Sequence, residues 1–87
     1  MMYELEPLEI NLPAPSGTYN VTVSIKSHID NVFSLFEDSL GAIVEEAEIC
    51  ENESRDINFK ITAEDTINIK IYCDGRLTAT AMAEYES

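Results

Sequence analysis

The chain has 87 residues, 45% of them hydrophobic, and seventeen acidic residues against five basic ones give it a net charge of −12. One domain of this size can bury a small core, and the composition excludes wholesale disorder. The negative charge repels phosphate backbones and anionic membranes, so neither direct nucleic-acid binding nor membrane binding is expected. Since the sequence lacks a run of about 20 apolar residues and a basic N-terminal leader, we expect a cytoplasmic protein.

Residues 1–18 are predicted to form an N-terminal arm or a short edge strand. Apolar and polar residues alternate weakly there until two prolines and a glycine interrupt the pattern. From Tyr19 to Lys26 the alternation is regular and β-branched side chains dominate, which predicts a strand. Residues 19–87 are therefore predicted to be the single folded domain.

A helix is predicted over residues 27–40. Ser27 and Asp30 have the spacing of a capping box, in which side chains bond the free backbone N–H groups of a first helical turn. Gly41 is typical of the position after a helix. The apolar positions recur at helical spacing and are Ile29, Val32, Phe33, Phe36 and Leu40. This helix is expected to cover the apolar face of a sheet.

A β-hairpin is predicted over residues 56–62 and 66–73. Apolar residues alternate with polar ones in both runs, and a short polar link joins them. One face of the hairpin should be buried, with Phe59 in it. Residues 42–55, which precede the hairpin, are ambiguous, because their apolar residues fit either a helical turn or a strand.

The final segment, residues 74–87, fits two structures. Asp74-Gly75 is a strong hairpin signal followed by alternating residues, which favours a strand. Asp74 is also a good N-cap, and the alanine-rich run after it suits a short helix. The predicted fold class is α+β: a three- or four-stranded antiparallel sheet in the order β-α-β-β, with one main helix on one face and a terminal strand or short helix.

The order of these elements resembles the Pcc family, the small subunit of the KEOPS complex that forms threonylcarbamoyladenosine in transfer RNA. The resemblance lies in INFKI at residues 57–61, INIKI at residues 67–71 and the aspartate Asp74 that opens the last segment. After Leu77 the chain lacks the arginine and the asparagine-serine step of the family, so it resembles a divergent paralogue. The resemblance implies a sheet with helices on one face, a non-catalytic role, and a sheet edge covered by a protein partner.

No pattern typical of an enzyme is present in the sequence. His28, the only histidine, is expected to be an exposed residue of the first helical turn. Cys50 and Cys73 have no metal-binding spacing and are expected to be free thiols. The sequence has no Gly-rich phosphate loop and no zinc-hydrolase motif. We therefore expect no catalytic residue, no cofactor and no metal ligand.

Six carboxylates lie between residues 45 and 56. A solvated charged face is the default interpretation of such a run, and the alternatives are a docking surface for a basic partner and a weak cation site. The predicted partner-binding residues combine part of this run with apolar positions: Phe36, Leu40, Leu77, Met82, Glu45, Glu46 and Glu48.

Three functions follow as hypotheses. The first is a non-catalytic subunit of a KEOPS-like complex that pairs with a basic Pcc-type subunit rather than with itself, since two chains of charge −12 repel each other. The second is an acidic inhibitor that mimics nucleic acid and blocks a nucleic-acid-binding protein. The third, drawn from the acidic run alone, is a small metal-binding protein.

Overall fold

A computed structural model describes residues 7–37, 42–73 and 76–86. These residues form seven β-strands and no helix. The strands are β1 (Leu8–Pro13), β2 (Gly17–Ser27), β3 (Asn31–Glu37), β4 (Ala42–Ile49), β5 (Ser54–Ala63), β6 (Thr66–Cys73) and β7 (Leu77–Tyr85). The predicted α+β class is therefore wrong, because the described chain is all-β. No helix capable of crossing a membrane occurs in this part of the chain.

The strands form two antiparallel sheets. Sheet A has four strands in the order β1-β6-β3-β4, and sheet B has three strands in the order β5-β2-β7. Every connection except the one from β3 to β4 carries the chain from one sheet to the other. This arrangement is a β-sandwich, in which the inner faces of the two sheets share one core.

Alternate residues of the central strands form that core. Successive side chains of a strand point to opposite faces, so one row of each strand faces the other sheet. The rows of β2, β3 and β6 contain eight of the ten apolar residues that are at most 1% exposed among the described residues: Val21, Val23, Ile25, Phe33, Leu35, Ile67, Ile69 and Ile71. Every buried side-chain nitrogen or oxygen in the described residues has a hydrogen-bond partner.

The two alternating isoleucine runs are strands, but the hairpin predicted from them is wrong. β5 pairs with β2 in sheet B, whereas β6 pairs with β1 and β3 in sheet A. The two residues that connect them, Glu64 and Asp65, carry the chain across the sandwich. Each run is therefore covered by the opposite sheet rather than by a helix. Phe59, predicted to be buried, is only half-buried.

The helix predicted over residues 27–40 is also wrong. Its described part consists of the end of β2, a bend at residues 28–30, and β3. The Ser27 hydroxyl bonds locally: it accepts the N–H of Ile29 at 3.4 Å and donates to the Ile29 carbonyl. Asp30 accepts the backbone N–H of Glu51 at 2.8 Å. The two residues of the supposed capping box therefore fix a turn between sheets instead of a helix start.

Polar residues at both ends of the buried row of β3 hide the alternation of apolar and polar residues by which a strand is recognised in a sequence. Its buried row consists of Asn31, Phe33, Leu35 and Glu37. Only the middle two are apolar, while Val32 and Phe36 lie on the opposite face. The apolar spacing that resembles a helix therefore combines residues from two faces of a strand.

Each segment with two predicted alternatives contains a strand and no helix in its described part. β1 is an edge strand of sheet A, so Leu8–Pro13 of the N-terminal segment belong to the same sandwich as the later strands. The ambiguous segment 42–55 contains β4, a turn and the start of β5. Residues 77–85 form β7, which is the strand alternative, while Asp74 and Gly75 lie outside the described residues.

A candidate docking face on sheet A

The outer face of sheet A carries an aromatic pair. Phe36 of β3 and Tyr72 of β6 meet edge to face, with their ring centroids 5.4 Å apart and their planes at 78°. This geometry places the positive edge of one ring against the negative face of the other, which is a favoured arrangement. Together with Ser34 and Lys70, the rings line a shallow depression of about 340 Å³.

Strand register brings these four residues together. β3 and β6 run antiparallel with Ser34 opposite Tyr72 and Phe36 opposite Lys70. The two rings are therefore diagonal neighbours, a separation that large side chains can bridge. The residues between them in both strands are buried, so all four lie on the outer face.

Two exposed aliphatic side chains extend this surface. Val32 is 58% exposed and Ile43 is 55% exposed. Ile43 stands opposite Phe36, directly after the bulge that interrupts the pairing of β3 and β4. Neighbouring apolar side chains left in water are typical of an interaction surface. We call the surface formed by Val32, Phe36, Ile43 and Tyr72 the sheet A patch.

Carboxylates border the sheet A patch on β4. Glu46 stands opposite Ser34 and accepts a hydrogen bond from the Ser34 hydroxyl, with 3.0 Å between the oxygens. Glu48 stands opposite Val32, and both glutamates are exposed. The face thus combines apolar side chains around Lys70 with a border of two carboxylates on β4.

Glu53, which lies in the turn from β4 to β5, is a member of the acidic run whose carboxylate bonds to the chain itself. Glu53 accepts the backbone N–H of Cys50 at 2.7 Å and the Arg55 guanidinium at 3.2 Å. Both bonds favour the charged carboxylate, so the Cys50 N–H first and Arg55 second lower the pKa of Glu53. Asn52 in this turn has a φ of 62°, a left-handed conformation that asparagine tolerates.

The described residues show no metal-binding cluster. These residues contain no group of three or more histidine, cysteine, aspartate or glutamate side chains placed to hold a metal ion. His28 is exposed in the bend between β2 and β3. Cys50 is exposed and Cys73 is half-buried, and neither forms a disulfide.

Three predicted partner-binding residues lie together on this face. Phe36 belongs to the sheet A patch, and Glu46 and Glu48 border it. Glu45 is half-buried, close to the bulge and opposite the buried Leu35.

The other predicted partner-binding residues lie elsewhere. Leu77 is only 7% exposed and belongs to the core. Met82 is 68% exposed, but it stands opposite Thr22 on the outer face of sheet B. Leu40 lies outside the described residues. The apolar part of the predicted set is therefore divided between two faces and the core.

Sequence reasoning placed Tyr72 in the outward-facing polar row of the second isoleucine run but did not include it among the partner-binding residues. It missed Ile43 as a surface residue, and it placed Val32 on a buried helical stripe. The row of Tyr72 was the available signal, because an aromatic side chain there must face outward. No comparable signal existed for Ile43, since its face depends on the bulge.

Comparison with known proteins gave no significant match to a family model, to a curated protein or to a solved structure. The candidate site therefore stands on its geometry alone.

Proposed function

We propose that this protein is a non-catalytic binding module that docks a basic partner protein through the outer face of sheet A. The observation that supports this most is the position of the sheet A patch directly beside Glu46 and Glu48. Of the five large apolar side chains that are exposed among the described residues, two, Val32 and Ile43, lie on this face. The face therefore offers apolar contact and negative charge together.

The aromatic and the charged side chains of this surface contribute to binding in different ways. Aromatic side chains such as Phe36 and Tyr72 contribute most of the free energy of many protein interfaces, because they bury large areas with few rotatable bonds. Exposed carboxylates contribute little affinity each, but they raise the association rate of a positively charged partner and disfavour acidic ones. The net charge of −12 acts in the same direction.

The Pcc resemblance suggests a narrower proposal, in which the partner is a Pcc-type subunit of a KEOPS-like complex. Its support is limited to the short sequence matches in β5 and β6, because the sheet-and-helix fold that the resemblance implied is not the fold of this chain. We therefore define the partner by its chemistry, as a protein segment that carries basic and apolar side chains together.

The acidic run supports a second candidate, a mimic of nucleic acid. Six carboxylates within residues 45–56 would present concentrated negative charge to a nucleic-acid-binding protein. Such a mimic would bind through charge alone and would not need the sheet A patch. This difference separates the two candidates experimentally.

The test uses two synthetic twelve-residue peptides, one alternating arginine with leucine and the other alternating arginine with serine. Fluorescence anisotropy measures the affinity of each for the full chain, and amide NMR shifts locate the contact. We expect the arginine–leucine peptide to bind at least tenfold more tightly and to shift residues of the sheet A patch.

Variants separate the apolar and charged contributions. Phe36→Ala should weaken the arginine–leucine peptide at least tenfold, which corresponds to about 1.4 kcal/mol. Glu46→Gln with Glu48→Gln should slow association at low salt, whereas Glu51→Gln with Glu64→Gln, which changes the net charge equally, should have a smaller effect. Equal affinity for the two peptides with a steep salt dependence would support the mimic instead. Absence of binding would refute both candidates.

A further inference from the structure

The strand β7 is a long and regular sheet edge. It pairs with β2 over nine consecutive residue pairs, from Tyr19 opposite Tyr85 to Ser27 opposite Leu77, without a register shift. Its other side faces no strand of sheet B among the described residues. An edge of this kind presents a row of backbone donors and acceptors that can pair with another strand.

The other three edges carry features that oppose strand addition. β1 ends at Pro13, which has no N–H to donate. β4 has a bulge and three carboxylates within eight residues. β5 carries the charged side chains of Arg55, Asp56 and Lys60. By contrast, the seven residues from Leu77 to Ala83 in β7 contain no charge and no proline.

The central part of the β7 edge, residues 77–83, is uncharged, and Glu84 is the one acidic residue within the strand. Six of the seventeen acidic residues lie between residues 45 and 56, in β4, the following turn and β5. In sheet B, β5 is two strand positions from β7, which is about 10 Å at the usual strand spacing. This distance exceeds the Debye length of about 8 Å at physiological salt, so much of the repulsion is screened. The argument from total charge against self-association is therefore weaker at the centre of this edge than for the chain as a whole.

We propose that two copies of this chain pair antiparallel along β7, with Thr80 on the two-fold axis. The two copies of sheet B then form one six-stranded sheet. In this register Thr78 stands opposite Met82 of the second copy, which covers part of a side chain that is 68% exposed in the single chain. Arg76 stands opposite Glu84 of the second copy, so opposite charges meet at both ends of an uncharged centre.

This interface is isologous, because each strand uses the same residues on both sides of the axis. It buries a modest area, since it consists of one strand from each copy. Interfaces of this size are at the weak end of specific association, and we expect micromolar affinity.

Disulfide trapping tests the register. On the axis, the two Thr80 Cα atoms would be about 4.5–5.5 Å apart, within the range that a disulfide spans. In a Cys50→Ser background, Thr80→Cys should form a cross-linked dimer under mild oxidation, identified by peptide mass. Thr62→Cys is the matched control, because it is exposed on β5, the opposite edge of the same sheet, and should cross-link far less.

Light scattering and sedimentation equilibrium test the assembly itself, at chain concentrations from about 10 to about 200 micromolar. Thr80→Lys places two like charges on the axis and should raise the dimer dissociation constant at least tenfold, whereas Thr62→Lys, with the same charge change, should leave it unchanged. Arg76→Glu should weaken the dimer, and Arg76→Glu combined with Glu84→Arg should restore it. A chain that stays monomeric over this range, or a dimer that Thr80→Lys does not weaken, would overturn the proposal.

Discussion

Truncation of Phe33 and of Phe36 should have very different effects on stability. The two residues are three positions apart, so a helix would place them on the same buried stripe and both truncations would be costly. In β3 they lie on opposite faces: Phe33 is fully buried between the sheets, and Phe36 is half-buried on the outer face.

The size of each effect follows from these surroundings. Phe33→Ala removes a fully buried ring from the core and should cost about 3–5 kcal/mol. Phe36→Ala loses partial burial and the edge-to-face contact with Tyr72, the latter worth about 0.5–1.5 kcal/mol, so its total should be near 1–2 kcal/mol. A domain of 87 residues has a free energy of unfolding of about 4–13 kcal/mol, so Phe33→Ala removes a large part of it.

Urea unfolding followed by circular dichroism measures both losses on the same scale. Phe33→Leu is the control for Phe33→Ala, because it keeps most of the volume and should cost less than about 1.5 kcal/mol. Should Phe33→Ala fail to fold, Phe33→Leu compared with Phe36→Leu still reports which ring is in the core. Equal losses for the two phenylalanines would refute the assignment of their faces.

Two further substitutions test local contacts. Ser27→Ala removes a fully buried hydroxyl that bonds both backbone groups of Ile29, and it should lower the free energy of unfolding by about 1–3 kcal/mol. The control is Ser24→Ala on the outer face, which should lower it by less than about 0.5 kcal/mol. Gly17 has a φ of +155°, and Gly17→Ala introduces a Cβ that meets the Tyr85 ring, so this substitution should destabilise the fold. Combining it with Tyr85→Ala should restore part of the lost stability in the same urea assay. Strictly additive losses would contradict a direct clash between the two side chains.

The positions of several strands could be predicted from the sequence because their period is local. β2, β5 and β6 alternate without interruption, and no helical pattern competes with them. β3 could not be predicted, since Asn31 and Glu37 occupy buried positions that normally hold apolar residues. Because these two residues are polar, only Phe33 and Leu35 show the alternation of apolar residues that is typical of a strand.

Pairing partners are a different matter, because alternation shows which face is buried but not which strand lies alongside. The link between β5 and β6 has the length of a tight hairpin turn, yet the favoured two-residue turns need positive φ and usually a glycine. Glu64 and Asp65 provide no glycine, and Asn52 is the single non-glycine residue with positive φ among those described. The absence of glycine was the available signal that this link leads to the other sheet.

The candidate docking face could be predicted only in part for the same reason. Glu46 and Glu48 were identified from charge density, and Phe36 from a helical stripe that does not exist. Their common face arises from the pairing of β3 with β4 and β6, which is a long-range property. Exposed patches depend on tertiary pairing more than strands do, so sequence reasoning finds their members more readily than their grouping.

The docking face and the β7 edge lie on different sheets, so the two proposals are compatible. Residues directly opposite each other in an antiparallel pair lie on the same face of the sheet. The two-fold axis that relates the two β7 strands is therefore perpendicular to the joined sheet. Both copies of sheet A then lie on the same side of the six-stranded sheet, and both docking faces point the same way. Such a dimer would present two equal sites to one partner, whose second contact becomes intramolecular and gains from the high effective concentration. A monovalent peptide gains nothing from this arrangement, so its affinity reports on the docking face alone, independently of the dimer.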